Sequence, residues 1–563
     1  MIKSARWLVG VLAPRNGPAS GAWVSLALVA AVAVDSVGDD ATQSDAIQFV
    51  EVAQEAGIDF RHQSGRTGAL RLPEIIGAGV AIFDFDGDGR MDVYLVQGGP
   101  LPGTGARAKP TDRLYRNVGR PGEMRFADVT AEVGLKPGDY GMGVTTGDID
   151  NDGDTDLFRT ALGRNRLLIN DGGRLLDATD AAGIVADEWS ISASFADIDG
   201  DGLLDLYVAN YLAYDMASPA CQAGGRPRYC PPSHYIAVRD RLYRNLDSAR
   251  FEDVSIASGI ATPGVVAHAA MGVAAADFDS DGRMDFFVAN DGSANALWMN
   301  RGGSFEDIAL AAGVAVNADG DAEAGMGVVV ADVDADGDSD VFLTHDVTES
   351  NTLYVNEGLS APGFLDQSVH SGVAAGSLPF TGFGAGAFDF DNDGDLDLFV
   401  ANGPIADFRP GSVATTSLHN LLLMNTGAGR FQSAARIGDE DTSRGAAFGD
   451  LDNDGDIDVV VANTNGPARL YRNDGGAGNW LGIAVRGSRG QRNAIGAEVW
   501  RLPFPELRRV RTDGSYASAN DPRIVFGLGG GDQPQHVRVR WPDGSEHTFG
   551  PLPINRYHVL RPQ

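Results

Sequence analysis

The pattern Asp-x-Asp-x-Asp-Gly-x-x-Asp is spaced like this only seven times in the chain, allowing any residue at position 7, and its copies start at Asp84, Asp148, Asp197, Asp277, Asp332, Asp389 and Asp450. Each copy runs into an apolar stretch such as Val93-Tyr94-Leu95-Val96. Alternating carboxylates at positions 1, 3 and 5 point to one side of a tight loop. The carbonyl at position 7 and the aspartate at position 9 close a cage of hard oxygens, which is what Ca²⁺ requires. Glycine at position 6 supplies the backbone angle that other residues resist. An EF-hand would need a glutamate at position 12 and flanking helices; here position 12 is apolar (Leu95 in the first copy), so the loop joins two strands.

The expected ligands are Asp84, Asp86, Asp88 and Asp92; Asp148, Asp150, Asp152 and Asp156; Asp197, Asp199, Asp201 and Asp205; and Asp277, Asp279, Asp281 and Asp285. The last three copies add Asp332, Asp334, Asp336 and Asp340; Asp389, Asp391, Asp393 and Asp397; and Asp450, Asp452, Asp454 and Asp458. Four or five carboxylates within nine residues repel one another unless a cation sits among them. Magnesium prefers to keep its waters in a strict octahedron. Zinc selects histidine or cysteine, which no loop carries. The expected cofactor is Ca²⁺, up to seven ions.

The loops also account for the charge. The chain carries a formal −33, and 32 aspartates lie inside the seven loops. The acidity is therefore a metal-binding feature, and nucleic-acid binding through a basic face is excluded as an expectation. Residues 1–34 carry Lys3, Arg6 and Arg15, then an apolar stretch from Ala22 to Val34 with Ala31-Val-Ala33 as a cleavage site. That is the pattern of a secretory signal peptide, followed by a linker over 35–46; a retained anchor is the alternative. The mature chain is expected to have no membrane span and to be exported, whether periplasmic, cell-surface or secreted. Cys221 and Cys230, the only two cysteines, lie in a Pro/Gly-rich insert and are expected to form a disulfide in an oxidising compartment.

The loops are markers of a larger repeat, spaced by 49 to 80 residues. A strand rich in small and apolar residues precedes each loop, as in Gly141-Met-Gly-Val144. A second strand follows, then a third ending in asparagine, from Leu114-Tyr-Arg-Asn117 to Leu470-Tyr-Arg-Asn473, and a fourth such as Phe126-Ala-Asp-Val129. Four short strands repeated radially make a β-propeller. No fourth strand follows Asn473; the missing one is expected at Phe49-Val-Glu-Val52, which closes the ring and protects its edges. An open solenoid is the alternative.

Residues 47–478 resemble the FG-GAP/VCBS repeats of integrin-type propellers. Residues 479–563 resemble the ASPIC/UnbV domain, through Asn479-Trp-Leu-Gly-Ile-Ala-Val485, Gly514-Ser-Tyr516, Phe526-Gly-Leu-Gly529 and Val539-Arg-Trp-Pro-Asp-Gly544. The pairing is similar to bacterial relatives of cartilage acidic protein, and Cys230-Pro-Pro-Ser-His-Tyr235 fits that group. The chain departs from the family at Ala517–Val525. The fold expected is all-β: a seven-bladed integrin-type propeller closed by an N-terminal strand, plus a small C-terminal β domain. Arg508, Arg509, Arg511 and Arg523 of that domain are expected on a solvated face, with docking against the acidic propeller as the sharper alternative.

The resemblance implies that the calcium loops occupy one face and the recognition loops the other. That second face would hold the Cys221–Cys230 insert, the 403–419 loop, Tyr211, Asp291, His345 and Asp346, with Glu74 and His268 from the loops between blades. No phosphate loop, His-Glu-x-x-His or nucleophile elbow occurs. The expected function is a calcium-binding adhesion module for an extracellular or periplasmic protein or glycan. The alternative is an enzyme in the channel mouth that brings Glu74, His268 and His345 together.

Overall fold

The computed structural model describes residues 47–104, 110–185, 187–247, 249–358, 362–378, 380–405, 419–438, 441–475, 478–487 and 493–563. The signal-peptide and linker expectations, and most of the 403–419 loop, lie outside these residues.

The chain is mostly β. From residue 49 to residue 473 the described residues form four-stranded antiparallel sheets on one plan. The first consists of Val80–Phe83, Asp92–Leu95, Arg113–Asn117 and Phe126–Asp128 in that order. The same order recurs in the sheets that begin at Tyr140, Ser190, Ala270, Val328 and Gly382. The sheet that begins at Ser443 takes its outer strand from the far end of the chain, where Phe49–Glu51 pairs antiparallel with Arg469–Asn473. The displaced strand read in the sequence at Phe49 is therefore paired as expected.

Why these segments form strands follows from their composition. Second strands such as Asp285-Phe-Phe-Val-Ala-Asn290 are rich in β-branched and aromatic residues and are buried throughout, and third strands such as Arg113–Asn117 bury Leu114, Tyr115 and Asn117. First strands are small because backbones crowd there. A Cβ on Gly79 would lie 2.3 Å from the carbonyl oxygen of Ala517, so only glycine fits. Apolar residues of adjacent sheets interleave in separate clusters, for example Val80, Val93 and Tyr115 with Val460 and Leu470.

Residues 479–563 add two small sheets. Asn479–Val485 pairs antiparallel with Ile524–Gly529 and parallel with Tyr557–Leu560. Glu498–Leu502 lies between Leu507–Arg509 and Gln535–Arg540, and Glu546–Leu552 forms the edge. Leu481, Ile483, Val499, Phe526, Val537 and Trp541 fill the core between them.

A segment of this domain, Arg511 to Asp521, runs among the first strands of the repeated sheets. Ala519 donates to the carbonyl of Val80 at 2.9 Å, and Val144 donates to Ala517 at 3.2 Å. Ala517 donates to Ser192 Oγ, and the Ala275 amide to Asp513 Oδ2 at 2.7 Å. Ser515 exchanges two backbone bonds with Val328, accepts from the Ala385 amide through its hydroxyl, and donates that hydroxyl to the Ala446 carbonyl. Every one of these first strands thus meets this segment, which supplies partners for main-chain groups turned away from their own sheets.

Candidate metal centre and the opposite face

Each acidic loop is built the same way. The ninth aspartate, at the start of the second strand, accepts two main-chain bonds. Its Oδ2 takes the amide of position 2, as in Phe85 to Asp92 at 2.8 Å and Leu451 to Asp458 at 2.9 Å. Its Oδ1 takes the amide of the asparagine that ends the third strand, as in Asn117 to Asp92 and Asn473 to Asp458 at 2.7 and 2.9 Å. The first aspartate accepts amides from inside the loop, for example Gly87 and Gly89 on Asp84. Position 6 glycine is left-handed in all copies, from Gly202 (φ +84°) to Gly394 (φ +109°).

The carboxylates of positions 1, 3 and 9 converge. In the sets Asp84/Asp86/Asp92, Asp148/Asp150/Asp156, Asp197/Asp199/Asp205 and Asp277/Asp279/Asp285 one oxygen from each residue lies within 4.8 Å of the others. The fifth aspartate turns to the amide of position 7, as Asp88 does to Arg90 and Asp454 to Asp456. In two copies it also pairs with an arginine side chain, Asp88 with Arg90 and Asp281 with Arg283.

Crowding has an electrostatic consequence. Burial pushes Asp156, Asp205 and Asp285 up to about 8; the main-chain donors oppose the shift, and the aspartates at positions 3 and 1 add to it. Asp397 is raised to about 9 for the same reasons. Asp92, Asp340 and Asp458 are raised too, burial first. An all-oxygen donor set that is unfavourable as a group of anions fits a hard dication.

The asparagines were read in the sequence only as strand ends; they are part of the site. Asn117 Nδ2 donates to the carbonyl of Leu451, in the loop of the neighbouring sheet, at 2.7 Å. Asn170 reaches Phe85, Asn245 reaches Ile149, Asn300 reaches Ile198, Asn425 reaches Val333 and Asn473 reaches Phe390, at 2.8–2.9 Å. Each loop so gripped is tied to the next. The recurrence of Leu-x-x-Asn was the available signal.

Arg508, Arg509 and Arg523, expected on a solvated face, are half-buried against the acidic loops, and Arg511 is half-buried against the Val330 carbonyl, which corrects that expectation. Arg509 Nη2 donates to the Asp277 carbonyl at 3.0 Å and pairs with Glu498. Arg508 reaches the Gly394 carbonyl, and Arg523, paired with Asp521, reaches the Asp450 carbonyl. A buried guanidinium needs such partners, and here intradomain carboxylates and loop carbonyls provide them.

Because the acidic loops join first strands to second, connections between second and third strands lie at the other end of the sheets. There the insert that follows Asp205–Asn210 carries the Cys221–Cys230 disulfide, Cα atoms 5.0 Å apart, as expected. Trp189, Tyr211, Tyr214, Tyr235 and His234 form a chain of ring contacts with successive Trp189–Tyr214, Tyr214–Tyr235 and Tyr235–His234 centroids 5.2–5.4 Å apart. Tyr211 donates its hydroxyl to Asp291, which burial raises to about 7. His345 is buried, which lowers it to about 4, and its Nδ1 faces the Ser350 carbonyl. Asp346 accepts from Thr381, and Glu74 accepts from Tyr229 at 3.3 Å. Among the described residues no hydrogen bond or ion pair joins Glu74, His268 and His345 to one another.

The FG-GAP-like repeat model matches residues 84–159, 151–208, 277–343, 332–400 and 389–461, more than half the chain. The chain belongs to the FG-GAP-like repeat family. The model described as ASPIC and UnbV matches residues 487–563. Cartilage acidic protein 1 of Homo sapiens is 33% identical over 111 residues, 20% of this chain and 13% of that protein. Its Mus musculus counterpart is 32% identical over 111 residues, 20% of this chain and 14% of that protein. The match thus spans about an eighth of the length of these relatives. Among solved structures, an Agrocybe aegerita lectin specific for non-reducing terminal N-acetylglucosamine is 17% identical, with a TM-score of 0.35 over 64% of this chain and 81% of that one. BBS1N, solved in complex with ARL6DN, is 10% identical, with a TM-score of 0.38 over 70% of this chain and 90% of that one.

Proposed function

We propose that this FG-GAP chain is an exported, calcium-binding propeller of seven blades, closed by Phe49–Glu51, that binds a protein or glycan through the face opposite its calcium loops. The observation that carries the calcium reading is the convergence of carboxylates from positions 1, 3 and 9, the ninth of them buried, in one repeated loop. Closure is supported by the Phe49–Glu51 pairing, by the bond from the Gly445 amide to the Ala78 carbonyl, and by the Asn117 bridge to Leu451. The disulfide fits an oxidising compartment, and among the described residues no helix is long and apolar enough to cross a membrane.

Recognition is assigned to the insert face because rigid loops with half-exposed aromatic rings, here Tyr214 and Tyr235, carry contacts at low entropic cost. Metal analysis after dialysis, with melting in calcium and in chelator, tests the first part. Absence of bound calcium together with an unchanged melting temperature refutes it. A pull-down from extracellular or periplasmic material, repeated with a Tyr214→Ala/Tyr235→Ala variant, tests the second; equal capture by both forms refutes the assignment of the face.

A further inference from the structure

The C-terminal domain touches the metal loops at their first ligand. The Leu507 amide donates to Asp332 Oδ2 at 3.1 Å, the Gly527 amide donates to Asp389 Oδ2 at 3.0 Å, and the Tyr557 hydroxyl donates to Asp450 Oδ2 at 2.8 Å. Three different strands of the domain make the same contact to the same position of three consecutive loops. The fit is close. A Cβ on Gly527 would lie 2.0 Å from Asp389 Oδ2, and a Cβ on Gly455 would lie 2.1 Å from the Trp480 ring. Tyr557 is itself held, with the Arg523 guanidinium 4.3 Å above its ring and Trp480 edge-on at 5.2 Å.

Given the calcium reading above, on which this rests, we propose that the loops beginning at Asp332, Asp389 and Asp450 are interdomain calcium sites: residues 479–563 position their first ligand, and calcium in turn holds the domain in place. The three donors are uncharged, so they orient a carboxylate without competing with the cation for its charge. In Asp389 and Asp450 the loop amides of positions 5 and 6 already bond Oδ1 and Oδ2; the interdomain donor is a further bond that fixes the plane of the carboxylate, as partners of metal ligands commonly do. Linkage then requires reciprocity: whatever the docked domain adds to calcium affinity, calcium adds to docking. Tyr557 is a positioning residue, and its hydroxyl is the one donor of the three that a conservative substitution removes.

The test uses the full chain. Calcium binding is titrated calorimetrically for the wild type and for Tyr557→Phe, and hydrogen exchange is followed over Ile524–Gly529 and Tyr557–Leu560 with calcium present and after its removal. The expected results are a loss of about tenfold in affinity at one site of the variant, and faster exchange in those two strands of the wild type when calcium is withdrawn. If the wild type binds calcium and the variant binds every ion equally well, or if exchange in the two strands ignores calcium, interdomain positioning is overturned while the calcium reading stands. If the wild type binds no calcium, the calcium reading itself fails and takes this proposal with it.

Discussion

Asn473 reaches from the end of its strand to the Phe390 carbonyl of the neighbouring loop, while its own amide holds Asp458. Asn356 occupies the equivalent place, but its side-chain nitrogen has no hydrogen-bond partner among the described residues. Alanine at 473 should therefore cost about 1–3 kcal/mol, because a buried carbonyl loses its donor, whereas alanine at 356 should cost clearly less. Urea denaturation of the two variants checks the difference, and equal losses would remove the inter-loop bridge as a source of stability. A second residue effect lies at position 4 of the loops, which is left-handed in every copy. Asn151, Asn392 and Asn453 tolerate that angle, but Ala335 holds it at φ +62° and Ser280 at φ +57°. Ala335→Gly should stabilise the chain by about 1 kcal/mol, read as a raised denaturation midpoint; a lowered midpoint counts against strain there. The spacing of the aspartates made the loop legible in sequence. The bridge was not, because its partner lies in another repeat, and the position 4 angle was hidden by the variety of residues that occupy it.

At the scale of elements, strands were readable wherever apolar residues alternated or ran together between turn residues. The outer strand at Phe49 was found because it repeats the phrase at Phe126. The segment from Arg511 to Asp521 was not readable. Its small and polar residues have no period, and what fixes it is a set of partners up to several hundred residues away. Asp513 anchors it, accepting from the Ser194 hydroxyl and the Ala275 amide while pairing with Arg511 at 2.9 Å. Asp513→Ala leaves a buried amide unpaired and a half-buried guanidinium without its carboxylate, a loss of about 2–3 kcal/mol. Equilibrium denaturation measures the loss. The same variant should speed hydrogen exchange in Ala270–Ala276, and unchanged exchange there would mean that the segment does not hold the first strands. The arginines beside it were misread for the same physical reason. A run of cations in a short domain looks solvated until the acidic loops that face it are placed.

For the whole molecule, the −33 charge and the raised carboxyls lead to one pH behaviour. Burial, aided by neighbouring aspartates, holds Asp156, Asp205 and Asp285 near 8 in the folded, metal-free chain, against about 4 when unfolded. Between those values the folded state keeps protons that the unfolded state has released, so stability falls as pH rises. Below about pH 4 both states are protonated and the effect vanishes; above about pH 8 the full penalty is present. On the calcium reading proposed above, the ion would reverse the sign, since it would bind the deprotonated loops and stabilise only the folded state. The metal-free protein should therefore melt at steadily lower temperature from pH 5 to pH 8, while the calcium-loaded protein holds or gains. The gap between the two should widen with pH across that window. Thermal melts of dialysed protein at four pH values, with and without added calcium, measure it directly. A gap that stays constant or narrows toward pH 8 would mean that the clustered aspartates do not carry the metal, and the charge of the chain would then need another account.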